Sequence, residues 1–340
     1  MQNSVQTNSS FAESLHAKAD RYFREQKGGR YANGIYYTKG VVLVVVYLAA
    51  YLYFILFTGN FAEMLFACLV LGICHVFIPV NLAHDAIHRS VSPRRWINSL
   101  FLYGFEVTGT NSYMYGRKHL EAHRNKENGS KKLAIESQGL LLQRQNETDV
   151  KNLPVVFYLF YSQYLIFIRD FVLFFKSNER HARKELAKLF FFKCFYCIAF
   201  IVVPFILIGA PWWQILMALM FMYIIVTVVA VIILLMPTEK MESARKDSNL
   251  TDNERWLVEV LEHNVDFSPQ STFLNLIAGG ANLNAVHYIF PSVNHVHYNT
   301  LAGFVEETAT EYGVTYRKQL VKDVFGIHFN YLKNIQNEKF

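Results

Sequence analysis

Apolar residues in this chain are gathered into long blocks, without the strict alternation of a half-buried strand or the one-sided stripe of a surface helix. Residues 41–59 (VVLVVVYLAAYLYFILFTG) and 61–80 (FAEMLFACLVLGICHVFIPV) nearly abut, and 189–208 (LFFFKCFYCIAFIVVPFILI) and 212–236 (WWQILMALMFMYIIVTVVAVIILLM) repeat the arrangement. A bilayer-spanning helix needs about 20 mostly apolar residues, so the pattern predicts four spans in two tight hairpins. Residues 154–175 (PVVFYLFYSQYLIFIRDFVLFF) are nearly as apolar but contain Arg169 and Asp170. A charge at the bilayer centre costs roughly 2.5 kcal/mol or more, and a fifth span would carry the basic run KSNERHARKELAK to the other side. An interfacial helix is the better expectation there. Residues 96–116 are too broken by Gly and polar side chains to span.

The polar segments complete the topology. Lys18, Arg21, Arg24, Lys27, Arg30 and Lys39 precede the first span, and 81–153, 176–188 and 237–340 are rich in Lys and Arg, whereas the hairpin turns TGNFAE and IGAPWW have none. Basic loops stay in the cytoplasm. The expectation is an all-α, multi-pass integral membrane protein with both termini cytoplasmic. It has a cytoplasmic N-terminal segment (1–40) and a membrane domain (41–340) with a helical cap built from 81–153 and 237–340.

Composition agrees: 52% of residues are hydrophobic and 18% charged, against about 25% charged in soluble proteins. The net charge of +6 is accounted for by these loops, so nucleic acid is not an expected partner. All four cysteines, Cys68, Cys74, Cys194 and Cys197, lie in apolar blocks. The C-x-x-C of FFKCFYCIAF therefore reads as two small residues on one helix face, not as a redox pair. The N-terminus has no signal-peptide core.

Chemistry is concentrated in the histidines, of which there are 12. NLAHDAIHRS follows the second apolar block and holds His84 and His88; YGRKHLEAHRN holds His119 and His123 at the same spacing. Residues four apart share a helix face, so each pair can grip a metal, and imidazole suits iron, zinc and copper. Asp85 and Glu121 are candidates to orient the rings. NLNAVHYIFPSVNHVHY adds His287, His295 and His297. HLEAH is not the zinc-protease pattern, because its glutamate is one place late. Only His75 lies inside a predicted span, so a haem between spans lacks its second axial ligand; His75 reads as a packed histidine. No G-x-G-x-x-G nucleotide fingerprint and no His-Pro-Gly-Gly haem signature is present.

These motifs, in this order, resemble the histidine boxes of the membrane fatty acid desaturases, especially the bacterial acyl-CoA or linoleoyl-CoA desaturase-like group. NLAHDAIHRS is similar to the first box, H-D-x-x-H-G; NSYMYGRKHLEAHRN to the second, ending H-x-x-x-H-H; and LIAGGANLNAVHYIFPSVNHVHY to the third, Q-I-E-H-H-L-F-P followed by H-x-H-Y. FVEETATEYGVTYR also reads like the family's tail, so the similarity covers roughly residues 20–320. The resemblance implies a cytoplasmic cap holding two non-haem irons beside an acyl tunnel, dioxygen as oxidant, and a separate ferredoxin- or cytochrome-like electron donor. Carried over by position, the ligands are His84, His88, His119, His123 and His287.

The chain departs from the pattern where further ligands are expected. Arg124 follows His123, Tyr288 follows His287, Asn284 replaces the usual Gln, and Ala230 stands at the nearest offset to a histidine expected near the end of the last span. Arginine cannot ligate a metal, and tyrosine does so only as phenolate. Asp85, Glu121, His295 and His297 are the candidates to make up the shortfall. Two functions follow as expectations: an acyl-chain oxidase with an altered centre of one or two irons, or a non-catalytic relative that binds lipid or a partner protein.

Overall fold

The computed structural model describes residues 10–127, 161–176, 183–234, 251–320 and 322–323. Among the described residues the fold is all-α apart from one parallel pairing of two-residue strands, β1 (Asp266–Phe267) and β2 (Lys318–Gln319), and an antiparallel bridge between Asp266 and Leu283. After α1 (Phe11–Glu25), the four spans are α2 (Gly34–Leu56), α3 (Phe61–Ile87), α7 (Arg183–Leu207) and α8 (Trp212–Leu234). Between them lie α4 (Arg95–Val107), α5 (Ser112–Glu127) and α6 (161–176). The cap continues with α9 (Asp252–His263), α10 (Thr272–Ala278), α11 (Asn284–Ile289) and α12 (Tyr298–Tyr312). Residues 128–160, 177–182, 235–250 and 324–340 lie outside the described residues, and with them the ends of the predicted interfacial helix and fourth span.

The spans begin and end differently from the apolar blocks. Helix α2 starts at Gly34, ahead of residue 41, because the Asn33 side chain accepts the Tyr36 amide at 3.2 Å and caps it. Helix α3 runs past residue 80 to Ile87 through a widened turn, in which the His84 amide donates to the Pro79 carbonyl. Proline has no N–H to give the ordinary ladder, and such π turns recur at functional sites. Helix α7 already includes Arg183, ahead of residue 189, because the charged Arg183–Lys188 stretch precedes the apolar block without breaking the helix.

Apolar side chains on the outer faces, including Val41, Val45 and Leu52 of α2 and Phe191, Phe195 and Ile206 of α7, are exposed. Such a surface needs lipid against it. Inside, α3 and α8 pack against each other at Gly72, where an added Cβ would stand 2.8 Å from both the Ile225 Cβ and the Met222 carbonyl oxygen. Close backbone approach of this kind is how membrane helices gain contact.

The two charges of α6 are used as a joint. Asp170 is fully buried and lies 2.8 Å from Lys193 of α7, 2.8 Å from Arg169, and 2.8 Å from the Asn111 amide that precedes α5. Lys193 also donates to the Gly109 and Ile166 carbonyls. Polar demand is met within the protein, as a low-dielectric setting requires. The cap has its own core, in which Phe11, Leu15 and Ala19 of α1 meet Leu257, Leu261, Leu301 and Val305.

Candidate metal centre

Three separate pieces of chain bring imidazoles to one point. His84 and His88 sit on the extension of α3 beyond its π turn, their ring centroids 5.2 Å apart. The helix stops there because Arg89 adopts a positive φ of 55°. His119 and His123 lie one turn apart on α5, whose first turn is secured by the Asn111 side chain accepting the Met114 amide at 3.0 Å. Tyr115 stacks on His119 with an interplanar angle of 13°. His287 comes from α11, whose Ala285 amide is taken by the Asp266 carboxylate at 2.7 Å.

The Nε2 atom of His119 lies 3.0 Å from that of His84, 2.8 Å from that of His88 and 3.3 Å from that of His123. His123 Nε2 is 3.0 Å from His287 Nε2. The ligand atoms of His84, His88, His119 and His287 all lie within 4.8 Å of one another. Burial and the neighbouring imidazoles push His88, His119 and His287 well below the usual histidine range. Each is therefore neutral, the form that ligates. A neutral imidazole nitrogen either donates one hydrogen bond or accepts, so His119 Nε2 cannot satisfy three imidazole neighbours by hydrogen bonding. One cation among them can: ligands about 2.1 Å from a metal, at right or tetrahedral angles, stand roughly 3.0–3.4 Å apart.

The remaining sequence candidates do not join this cluster. Glu121 is two residues from both His119 and His123, hence on the far side of α5, where it pairs with Lys118 at 3.3 Å. Asp85 accepts from His295 Nδ1 at 2.5 Å and from the Asn294 side-chain Nδ2 at 3.0 Å. Lys39 donates to His295 Nε2 at 2.7 Å, and to Asn81 Oδ1 at 2.9 Å and the Leu276 carbonyl at 3.0 Å. His297 has Tyr22 hydroxyl 3.0 Å from Nδ1 and the Tyr31 carbonyl 2.9 Å from Nε2. His295 and His297 are thus structural ties between the N-terminal segment and the cap. Arg124 is exposed, and Asn284 donates to Asn264 at 2.8 Å. Tyr288 is buried, its ring centroid 4.6 Å from that of His123.

An apolar cavity opens from the cluster into the helix bundle. His84, His119 and His287 stand at one end; Val76, Val80, Val226 and Ile233 line the walls with Ala230, Asn284 and Tyr288. Deeper, it reaches His75, which lies 2.7 Å from the Leu71 carbonyl through Nδ1 and 3.0 Å from the Tyr196 hydroxyl through Nε2. Gly279 and Gly280 form part of the wall, both at positive φ; a Cβ on Gly280 would lie 2.7 Å from the His295 Cβ and 2.9 Å from the Tyr298 ring. That fit explains the paired glycines of LIAGGANLN.

Sequence reasoning missed Lys39, Asp266 and Tyr298. Tyr298, whose hydroxyl is 2.9 Å from His287 Nδ1, was visible only as the last letter of H-V-H-Y. Lys39 was counted for topology, and its place two residues before the first apolar block was its only further signal.

The profile described as fatty acid desaturase matches residues 60–320. The chain is 23% identical over 329 residues to an sn-1 linoleoyl-lipid 6-desaturase of Arthrospira platensis, covering 90% of this chain and 87% of that one. An sn-1 linoleoyl-lipid 6-desaturase of Synechocystis sp. is 23% identical over 334 residues, with 90% of each chain covered. An acyl-lipid (8-3)-desaturase of Physcomitrium patens is 22% identical over 352 residues, 95% of this chain and 71% of the other.

Proposed function

The chain belongs to the fatty acid desaturase family, and on that premise we propose that it oxidises a lipid-borne acyl chain, by desaturation or a related hydroxylation, at a non-haem iron centre held by His84, His88, His119, His123 and His287. The observation that carries this reading is the meeting of five imidazoles at the mouth of an apolar cavity. It favours the enzyme over a non-catalytic relative, because a groove that only bound lipid would have no use for buried nitrogens facing one another. The relatives are acyl-lipid desaturases by name, which supports a substrate esterified in a membrane lipid.

Bound iron would supply dioxygen activation and hydrogen removal from an unactivated C–H bond. The residues of the chain do the rest. Val76, Val80, Val226 and Ile233 hold the acyl chain by burial, and Gly279 and Gly280, packed against Val80, His295 and Tyr298, complete the wall beside the imidazoles. The same walls exclude water from the reacting carbons. Desaturation removes two hydrogens from the chain, and dioxygen becomes two waters when two further electrons and two protons are added. Those electrons come from a separate ferredoxin- or cytochrome-like donor on the cytoplasmic face. The basic segments of this chain support a cytoplasmic position for both termini and favour an acidic donor by steering.

The test is expression in a host lacking the corresponding unsaturated fatty acids, with a reductase and electron donor supplied. A new double bond or hydroxyl in extracted lipids is expected, absent with His119→Ala. Unchanged lipids, from protein that is folded and contains iron, would overturn an acyl-oxidising role.

A further inference from the structure

We infer that this centre holds one metal ion, where the family pattern implies two. The inference rests on the functional reading above and on three sets of positions.

The first is the histidine cluster. Two metals in a paired centre stand roughly 3.5–4 Å apart, and each catalytic metal takes at least three protein ligands. Two centres side by side would spread their ligands into two groups. Instead, His119 Nε2 is within 3.3 Å of three other imidazole nitrogens, and the fifth ring, His287, is joined to the set through His123 at 3.0 Å. The nitrogens of His84, His88, His119 and His287 lie within 4.8 Å of one another, with His123 beside them, so the ligands form one group suited to a single ion.

The second is the set of residues available to make up a second shell. Asp85, His295, His297 and Glu121 are the donors nearest in sequence, and protein groups already engage each of them. Asp85 and His295 are bonded to each other, with Lys39 on the far nitrogen of His295. Both nitrogens of His297 are engaged, and Glu121 faces outward to Lys118. An ammonium already stands at His295, so a metal there would meet a buried positive charge.

The third is the set of departures from the family pattern. Arg124 points to solvent and offers nothing to the cluster. Ala230, Asn284 and Tyr288 all line the cavity beside His84, His119 and His287. Three of the four altered positions thus line the cavity and the fourth is at the surface, and none of them brings an imidazole to the cluster for a second ion.

Metal content reads this directly. The full chain, purified in detergent, is loaded anaerobically with ferrous iron, freed of unbound metal by gel filtration, and assayed for iron against protein by amino-acid analysis. A parallel titration with cobalt(II) follows the visible absorption of the bound ion. One iron per chain and saturation at one equivalent of cobalt are expected, both lost in His119→Ala with the helical circular dichroism unchanged. Should that variant misfold, His88→Ala and His287→Ala carry the same expectation. Two metals per chain would overturn the single-ion centre and leave the proposed function standing. No metal at all would overturn both, and one metal retained by all three folded variants would show that the ion lies outside this cluster.

Discussion

The ring of His287 is held from behind by a phenol: its Nδ1 lies 2.9 Å from the Tyr298 hydroxyl oxygen. With Nδ1–H donating to that oxygen, the tautomer is fixed and the lone pair of Nε2 is left for a metal. Tyr298 is itself buried and sits one ring from Gly280. Replacing it with Phe keeps the packing and deletes only the hydroxyl. Metal affinity, measured by competition with a chelator, is expected to fall roughly 10- to 100-fold with the same stoichiometry. An unchanged affinity would show that packing alone orients the ring.

Asp170 and Lys193 join α6 to the third span through a contact of 2.8 Å in which the carboxylate is fully buried. Removing one partner leaves the other charge without compensation, at a cost of about 3–5 kcal/mol. Asp170→Asn should therefore lower the unfolding temperature in detergent by many degrees. The double variant Asp170→Leu/Lys193→Met should recover part of the loss, because it removes the Lys193 charge that the single change strands, while Arg169 still loses the Asp170 carboxylate. Equal losses in the single and double variants would mean that the hydrogen bonds to the Asn111 amide and the Gly109 carbonyl matter more than the charge pairing.

Gly72 lies at a close approach of the second and fourth spans. A Cβ there would meet the backbone carbonyl of Met222 at 2.8 Å, an atom that cannot swing aside. Gly72→Ala is expected to cost about 1–3 kcal/mol through overpacking, whereas Gly303→Ala, where the added carbon meets open space, should leave stability unchanged or raised. Thermal unfolding of the two variants side by side checks the contrast.

Much of this architecture could be read from the residues because hydrophobic blocks of bilayer length admit few alternatives. The four spans and the two His-x-x-x-His faces belong to that class. The charges at Arg169 and Asp170 set their segment apart from the apolar blocks in the sequence, but gave no sign that Asp170 would pair with Lys193. That pairing joins residues 23 apart, and no local period encodes it. The same holds for His295 and His297. Their sequence context made them ligand candidates, and only tertiary placement against Lys39, Tyr22 and Tyr31 turned them into structural ties. Glu121 differs: its offset of two residues from each histidine already put it on the outer face.

Asp266 gives the protein a pH dependence near neutrality. Its carboxylate is fully buried at the start of α11, accepting the Ala285 amide and the Tyr316 hydroxyl, each at 2.7 Å. Burial outweighs these bonds and pushes its pKa up to about 7. The native state then keeps a proton that the unfolded chain, with an ordinary carboxyl, has released. Stability from this group is present at low pH and is lost as pH rises through about 7. The tyrosines facing it, Tyr316 and Tyr298, are pushed well above their usual range by burial and by Asp266 itself, so they stay neutral throughout. The buried histidines of the cap act in the opposite sense, because their native pKa values are lowered, and their stabilisation still grows between about pH 6.5 and 8 as the unfolded chain's histidines lose their protons. That rise is common to the parent and to Asp266→Asn, so the carboxyl is read from the difference between them, in which its loss over the same window is about 1 kcal/mol. The unfolding temperature of the parent in detergent, taken relative to that of Asp266→Asn, should fall with rising pH. A difference that stays constant across the window would remove Asp266 as the cause.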